Sequence, residues 1–217
     1  MIENAAEYQR IRAELERIHA TGKQLDVFGA DVHHFECEPP VREADIKRFE
    51  ARHKIQLPVE YRLFLLHVGN GGAGPAYGLF RLGEMDDGFG TMPWDTVEGI
   101  VGNLSEPFPH RNPWNDLTGM PPNEGLSDEE HDLQFEIFDR VYYQPLNGAF
   151  PICHRGCALR DWLVVSGPEA GNVWCDDRAD YNGVYPFKLP GFERVTFYQW
   201  VRTWLDGVLE LLETGSE

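Results

Sequence analysis

Two helical patterns meet at a Leu57-Pro58 step, and the second runs into a glycine cluster. Few folds accommodate that sequence. Proline disfavours the α region for the residue before it, so the first helix must end by Leu57. Pro58 itself suits the first turn of a new helix, where its missing N–H would be unpaired anyway. Before the step, Val41, Ile46, Phe49 and His53 fall near one helical face, with Glu43, Lys47, Arg48, Glu50, Arg52 and Lys54 around the rest. After it, Tyr61, Phe64, Leu65 and Val68 form an apolar stripe that Gly69 is expected to stop in a left-handed conformation. Gly71, Gly72, Gly74 and Pro75 make a turn, and Tyr77, Leu79, Phe80 and Leu82 read as a short buried strand.

The remaining segments read as a mixture of helices and strands. Residues 3 to 20 carry Tyr8, Ile11, Leu15 and Ile18 at helical spacing, ended by Gly22. Residues 24 to 37 suggest one or two short strands, on which His33 and His34 would point to opposite faces. Pro39-Pro40 separates this extension from the paired helices. The glycine- and proline-rich stretch from 83 to 125, carrying Trp94 and Trp114, is too aromatic for a flexible linker and is expected to lie ordered on the domain. Ser127 and Glu130 form a capping box opening a helix to which Leu133, Phe135, Ile137 and Phe138 would give apolar contacts. Residues 147 to 153, 160 to 166 and 171 to 175 read as an antiparallel meander. The last helix is capped by Thr196 and Gln199 and carries Phe197, Trp200, Val201, Trp204, Leu205, Val208, Leu209 and Leu212 on one side. Helices and strands without strict βαβ alternation indicate α+β.

Three blocks carry a family resemblance: "IQLPVEYRLFLLHVGNGGAGPAYGLFRL", "GCALRDWLVVSGPEAGNVWCDD" and "TFYQWVRTWLDGVLELL". Together, in this order, they resemble the SUKH superfamily in its Smi/Knr-like branch. The resemblance implies a single α+β SUKH-like domain over residues 41–212, a largely antiparallel sheet with helices packed against it. Residues 1–40 are then an N-terminal helix and short-strand extension. Residues 84–145, which carry no family motif, form a long insertion.

Chemistry-bearing motifs lead away from catalysis. Gly69, Gly71 and Gly74 spell a dinucleotide-type spacing, but they follow a helix and precede a strand, the reverse of what that fold requires. Asp176, Asp180, Asn182 and Gly183 hint at a calcium loop, yet Arg178 and Leu189 occupy positions that need oxygen ligands, so an Asx-stabilised turn is expected. Cys153 and Cys157, with His154 between them, lack a second ligand pair for zinc. Ser166 is not in a hydrolase elbow. The expectation is therefore a non-enzyme with no catalytic residues, no cofactor and no metal, its four cysteines reduced and mostly buried.

Net charge is −17, which argues against direct nucleic-acid binding and favours a basic protein partner. The sequence places candidate partner contacts at Asp128, Glu129, Glu130 and Asp132, and at Asp176 and Asp177. No apolar run approaches the roughly 20 residues of a membrane helix, and the N-terminus does not read as a secretory signal, so a cytoplasmic location is expected. What the resemblance adds is function. Many bacterial members of the superfamily are immunity proteins that neutralise a toxin, often a nuclease; fungal relatives act as regulatory or scaffold proteins in cell-wall synthesis and signalling.

Overall fold

The structure, a computed structural model, describes residues 4–86, 91–94, 100–122 and 124–215. Residue 3 of the first expected helix, and residues 87–90, 95–99 and 123 of the expected insertion, lie outside the described residues. The helices are α1 (Ala5–Ala20), α2 (Ala30–His33), α3 (Glu43–His53), α4 (Val59–His67), α5 (Asp128–Tyr142) and α6 (Phe197–Thr214). A four-stranded antiparallel meander runs β3 (Ala149–Gly156), β4 (Leu159–Val164), β5 (Val173–Asp177) and β6 (Gly183–Pro186), in that spatial order. A separate two-stranded ribbon pairs β1 (Glu84–Asp86) with β2 (Thr91–Pro93). The architecture is α+β.

Strand alternation gives the meander two faces. On one, Phe150 and Leu163 oppose each other across β3 and β4. Helices cover that face. Tyr61 of α4 lies 5.7 Å from Phe150 and 5.0 Å from Phe197 of α6, ring centre to ring centre. From α3, Ile46 is buried, while Phe49 and His53 lean on Trp94 at 5.8 and 6.1 Å. The other face carries Trp162 opposite Trp174. Residues 100–114 cover it: Phe108 packs 4.9 Å from Trp174, and Trp114 adds a bridge to Val184 at the sheet edge. Buried Ile100, Leu104 and Phe108 join the same apolar core as the helices. Residues 100–114 thus form a third layer, while Trp94 packs on the helical face, 5.0 Å from Phe150.

Tyr8, Ile11, Leu15 and Ile18 of α1 also enter this core, and Arg202 of α6 pairs with Glu14 at 2.6 Å. Helix α1 thus closes over α4 and α6.

The fold departs from its local sequence signals in identifiable places. Residues 24 to 37 do not form strands. Residues Ala30–His33 make one helical turn, closed by His34 and Phe35, both at positive φ. His33 is consequently buried against Phe35 and Trp204, and burial pulls its pKa down to about 4. The segment from Tyr77 to Leu82 runs beside β3, with Tyr77 N–H donating to His154 O and Phe80 N–H to Ile152 O. Gly78, at φ +94, interrupts the regular ladder. Residues 176–182 make the expected turn, with the Arg178 N–H donating to Asp176 Oδ1 at 3.2 Å, and β6, for which the sequence carried no expectation, follows from Gly183. Gly69 ends α4 without a left-handed φ; a Cβ there would stand 2.5 Å from Glu38 O, so glycine is required by close backbone approach. On α5, Leu133 and Phe135 do not pack inward: only Ile137 and Val141 are buried.

Candidate partner-binding surface

Helix α5 starts as its sequence predicts. Ser127 accepts from the Glu130 N–H, and the Glu130 carboxylate accepts from the Ser127 N–H at 2.8 Å, which draws its pKa down. Asp128, Glu129 and Glu130 in the first turn also complement the positive end of the helix dipole. With 3.6 residues per turn, about one side of α5 carries Asp128, Asp132, Glu136 and Asp139. All four are exposed, as is Glu129, and among the described residues none of the five forms an ion pair.

Beside this acidic side runs an aromatic one. Phe135, Phe138 and Tyr142 succeed one another at spacings of three and four. Phe138 and Tyr142 stack at 5.3 Å, Tyr142 meets Tyr143 edge-on at 4.9 Å, and Tyr181 from the turn after β5 tilts onto Phe138 at 5.3 Å. Phe135 is 67% exposed, Tyr143 51% and Tyr181 45%, a patch unlike the isolated apolar residues that surfaces ordinarily tolerate.

A helix with two buried residues needs another anchor, and arginines supply it. Arg178, only 1% exposed, grips Asp176 with Nε at 2.8 Å and Nη2 at 2.7 Å. Its Nη1 donates to Val141 O at 3.2 Å and Gln144 O at 2.6 Å, satisfying carbonyls at the end of α5. Arg160 on β4 holds Asp86 of β1 at 2.8 and 3.1 Å, with its Nη1 at 3.1 Å from Ala158 O and 3.5 Å from the Tyr142 hydroxyl. The C-terminal half of α5 is therefore fixed to the sheet, and its acidic N-terminal half projects.

The other two acidic candidates are not on this surface. Asp176 is buried in the Arg178 pair, and Asp177 is buried between Arg155, at 2.9 Å, and the Tyr185 hydroxyl. Alternation on a strand exposes one face only when nothing covers it, and here both faces are covered. Arg178 is only two positions from Asp176, but Arg155 and Tyr185, which engage Asp177, come from β3 and β6, so no local signal marks the burial of Asp177.

Behind Asp177 lies Asp161, 2% exposed, whose Oδ1 accepts no hydrogen bond and stands 3.7 Å from Arg155. Burial raises its pKa to about 7 against the opposing pull of Arg155. Cys153 and Cys175 are buried nearby, and burial pushes both thiols up, away from the reactive thiolate. Cys157 is exposed, so burial is not common to all four cysteines, and all four are free. Among the described residues no three His, Cys, Asp or Glu side chains are placed to hold a metal ion, and no helix is long and apolar enough to cross a membrane.

The motif residues from Leu57 to Leu65 build scaffold. Glu60, 7% exposed, accepts from the Tyr198 N–H at 3.0 Å in the first turn of α6. Arg62 ties α4 to α3 through Glu43 at 2.6 Å and Glu50 at 3.5 Å. No curated protein and no solved structure matches the chain. A family model described as the SMI1 / KNR4 family (SUKH-1) matches residues 40–204, from the segment before α3 into α6. With the Leu-Pro-x-Glu-Tyr scaffold and the start of the closing helix inside that span, the chain belongs to the SMI1 / KNR4 family (SUKH-1).

Proposed function

We propose that this protein is a non-enzymatic recognition module that neutralises a cognate toxin, acting as an immunity protein against a basic, nucleic-acid-cleaving domain. Family membership supports a protein-binding role. The observation that carries the finer reading is the unpaired acidic side of α5, displayed on a helix whose other end is clamped by Arg178. A nuclease must offer a cationic groove to phosphates, and a rigid anionic helix can occupy or shield it. Preorganisation limits the ordering entropy lost on binding. Asp128, Glu129 and Asp132 are the contact residues in this reading; Glu130 is engaged in its own helix cap, and Asp176 and Asp177 act within the fold.

The test is genetic and direct. Co-expression with a toxic basic domain encoded beside this gene should restore growth, and the purified pair should form a stable complex. If neighbouring reading frames encode no toxin and no such domain is neutralised, the immunity role is wrong. Recovery of several endogenous partners without a toxin would instead support the regulatory or scaffold role.

A further inference from the structure

We infer that the aromatic side of α5, completed by Tyr181, is a docking site for arginine side chains on the face of a basic protein partner. The inference deepens the partner-binding reading above and rests on it for its biological meaning.

The site consists of Phe135, Phe138, Tyr142, Tyr143 and Tyr181, joined by ring contacts of 4.9 to 5.3 Å from Phe138 onward, with Phe135 one turn nearer the acidic N-terminus. The carboxylates of Asp128, Asp132 and Asp139 lie on the adjoining side of the helix, so the exposed rings of Phe135, Tyr143 and Tyr181 flank unpaired negative charge. That combination selects among occupants. A second copy of this chain would bring acid against acid, at a net charge of −17 per molecule. A neutral apolar partner would leave the carboxylates desolvated and unmatched. A cation matches both halves. Of the two cationic side chains, arginine fits better. Its planar guanidinium stacks on aromatic faces, is weakly hydrated, and can keep an in-plane fork to a carboxylate while stacked. Lysine can satisfy the charge but gains less from the rings.

Two probes of equal charge separate these contributions: hexa-arginine and hexa-lysine peptides, titrated into the full chain labelled with nitrogen-15. The expected result is saturable binding at moderate salt, with amide shifts concentrated at residues 131–143 and 181. Affinity for the arginine peptide should be about 5- to 10-fold above that for lysine, the scale of one or two exposed cation–π contacts. Phe135→Ser and Tyr181→Ser, both at exposed positions, should reduce that ratio towards one while leaving lysine binding and the melting temperature unchanged. Asp132→Asn with Asp139→Asn should weaken both peptides. Equal affinity for the two peptides overturns the inference. So do shifts spread over other acidic surface, absence of saturable binding, or a concentration-dependent dimer that Phe135→Ser abolishes. If the peptides map to this strip but no toxin is neutralised, the immunity role fails and the arginine site stands; the reverse outcome removes the site alone.

Discussion

Glu60 belongs to α4, yet its carboxylate serves the first turn of α6, accepting from an N–H that α6 cannot satisfy internally. Glu60→Ala should destabilise the fold by about 1–2 kcal/mol, the scale of a lost helix cap, and Glu60→Gln should recover part of it. Urea unfolding followed by far-UV circular dichroism measures both. Asp161 makes a prediction with a definite sign. Its folded pKa of about 7 lies above the ordinary 3.8, so between those values the folded state holds a proton that the unfolded chain releases. Its contribution to stability is complete below the unfolded pKa and is lost as pH rises through the folded one. Asn cannot lose that proton. The unfolding free energy of wild type minus that of Asp161→Asn should therefore fall between about pH 4 and pH 8 and be flat on either side. A difference that stays flat over this interval would show that the carboxylate is already charged in the folded protein.

At the scale of elements, α5 is the informative case. Its capping box is local and was legible, because Ser127 and Glu130 are three residues apart. Its orientation was not, because periodicity names an apolar side without saying how much of it finds a partner. Leu133 and Phe135 look like core residues in sequence and face solvent in the fold. What fixes the helix is Arg178, which the sequence shows only as an unsuitable calcium ligand. Arg178→Met should cost about 3–5 kcal/mol, because Asp176 is left buried and uncompensated. Adding Asp176→Leu should restore much of the loss, since removing both charges avoids an orphaned one. Hydrogen exchange should show amides at the end of α5 opening before those of β4 in the single variant. Uniform exchange across both elements would mean that the clamp carries no special weight.

For the whole molecule, the separation of scaffold from display is the main consequence. Helices α3, α4 and α6 cover one face of the sheet with α1 packed over α4 and α6, residues 100–114 cover the other, and α5 carries the exposed acids. Replacing Asp128, Glu129 and Asp132 with Ser, while keeping the Glu130 cap, should leave the fold intact and lower the melting temperature only slightly, through the lost charge at the helix N-terminus. It should lower the association rate with a basic partner on the order of tenfold at low ionic strength, with a smaller effect at high salt, because long-range attraction is screened. Stopped-flow association over a salt series reads this directly. An unchanged rate at every salt concentration removes this segment from the encounter surface.

Sequence alone determined what short-range physics controls. The break at Leu57-Pro58, the two capping boxes, the meander and the apolar sides of α1, α3, α4 and α6 depend on residues a few positions apart, and they sufficed for an α+β class. Tertiary structure decided the fate of the charges. Asp177 and Asp128 are the same side chain chemically; one meets Arg155 inside the protein and the other meets water. Glu60 and Tyr198 are 138 positions apart, and Asp86 and Arg160 are 74. A carboxylate's solvation is set by whichever segments the chain brings back to it, and local periodicity carries no record of that return.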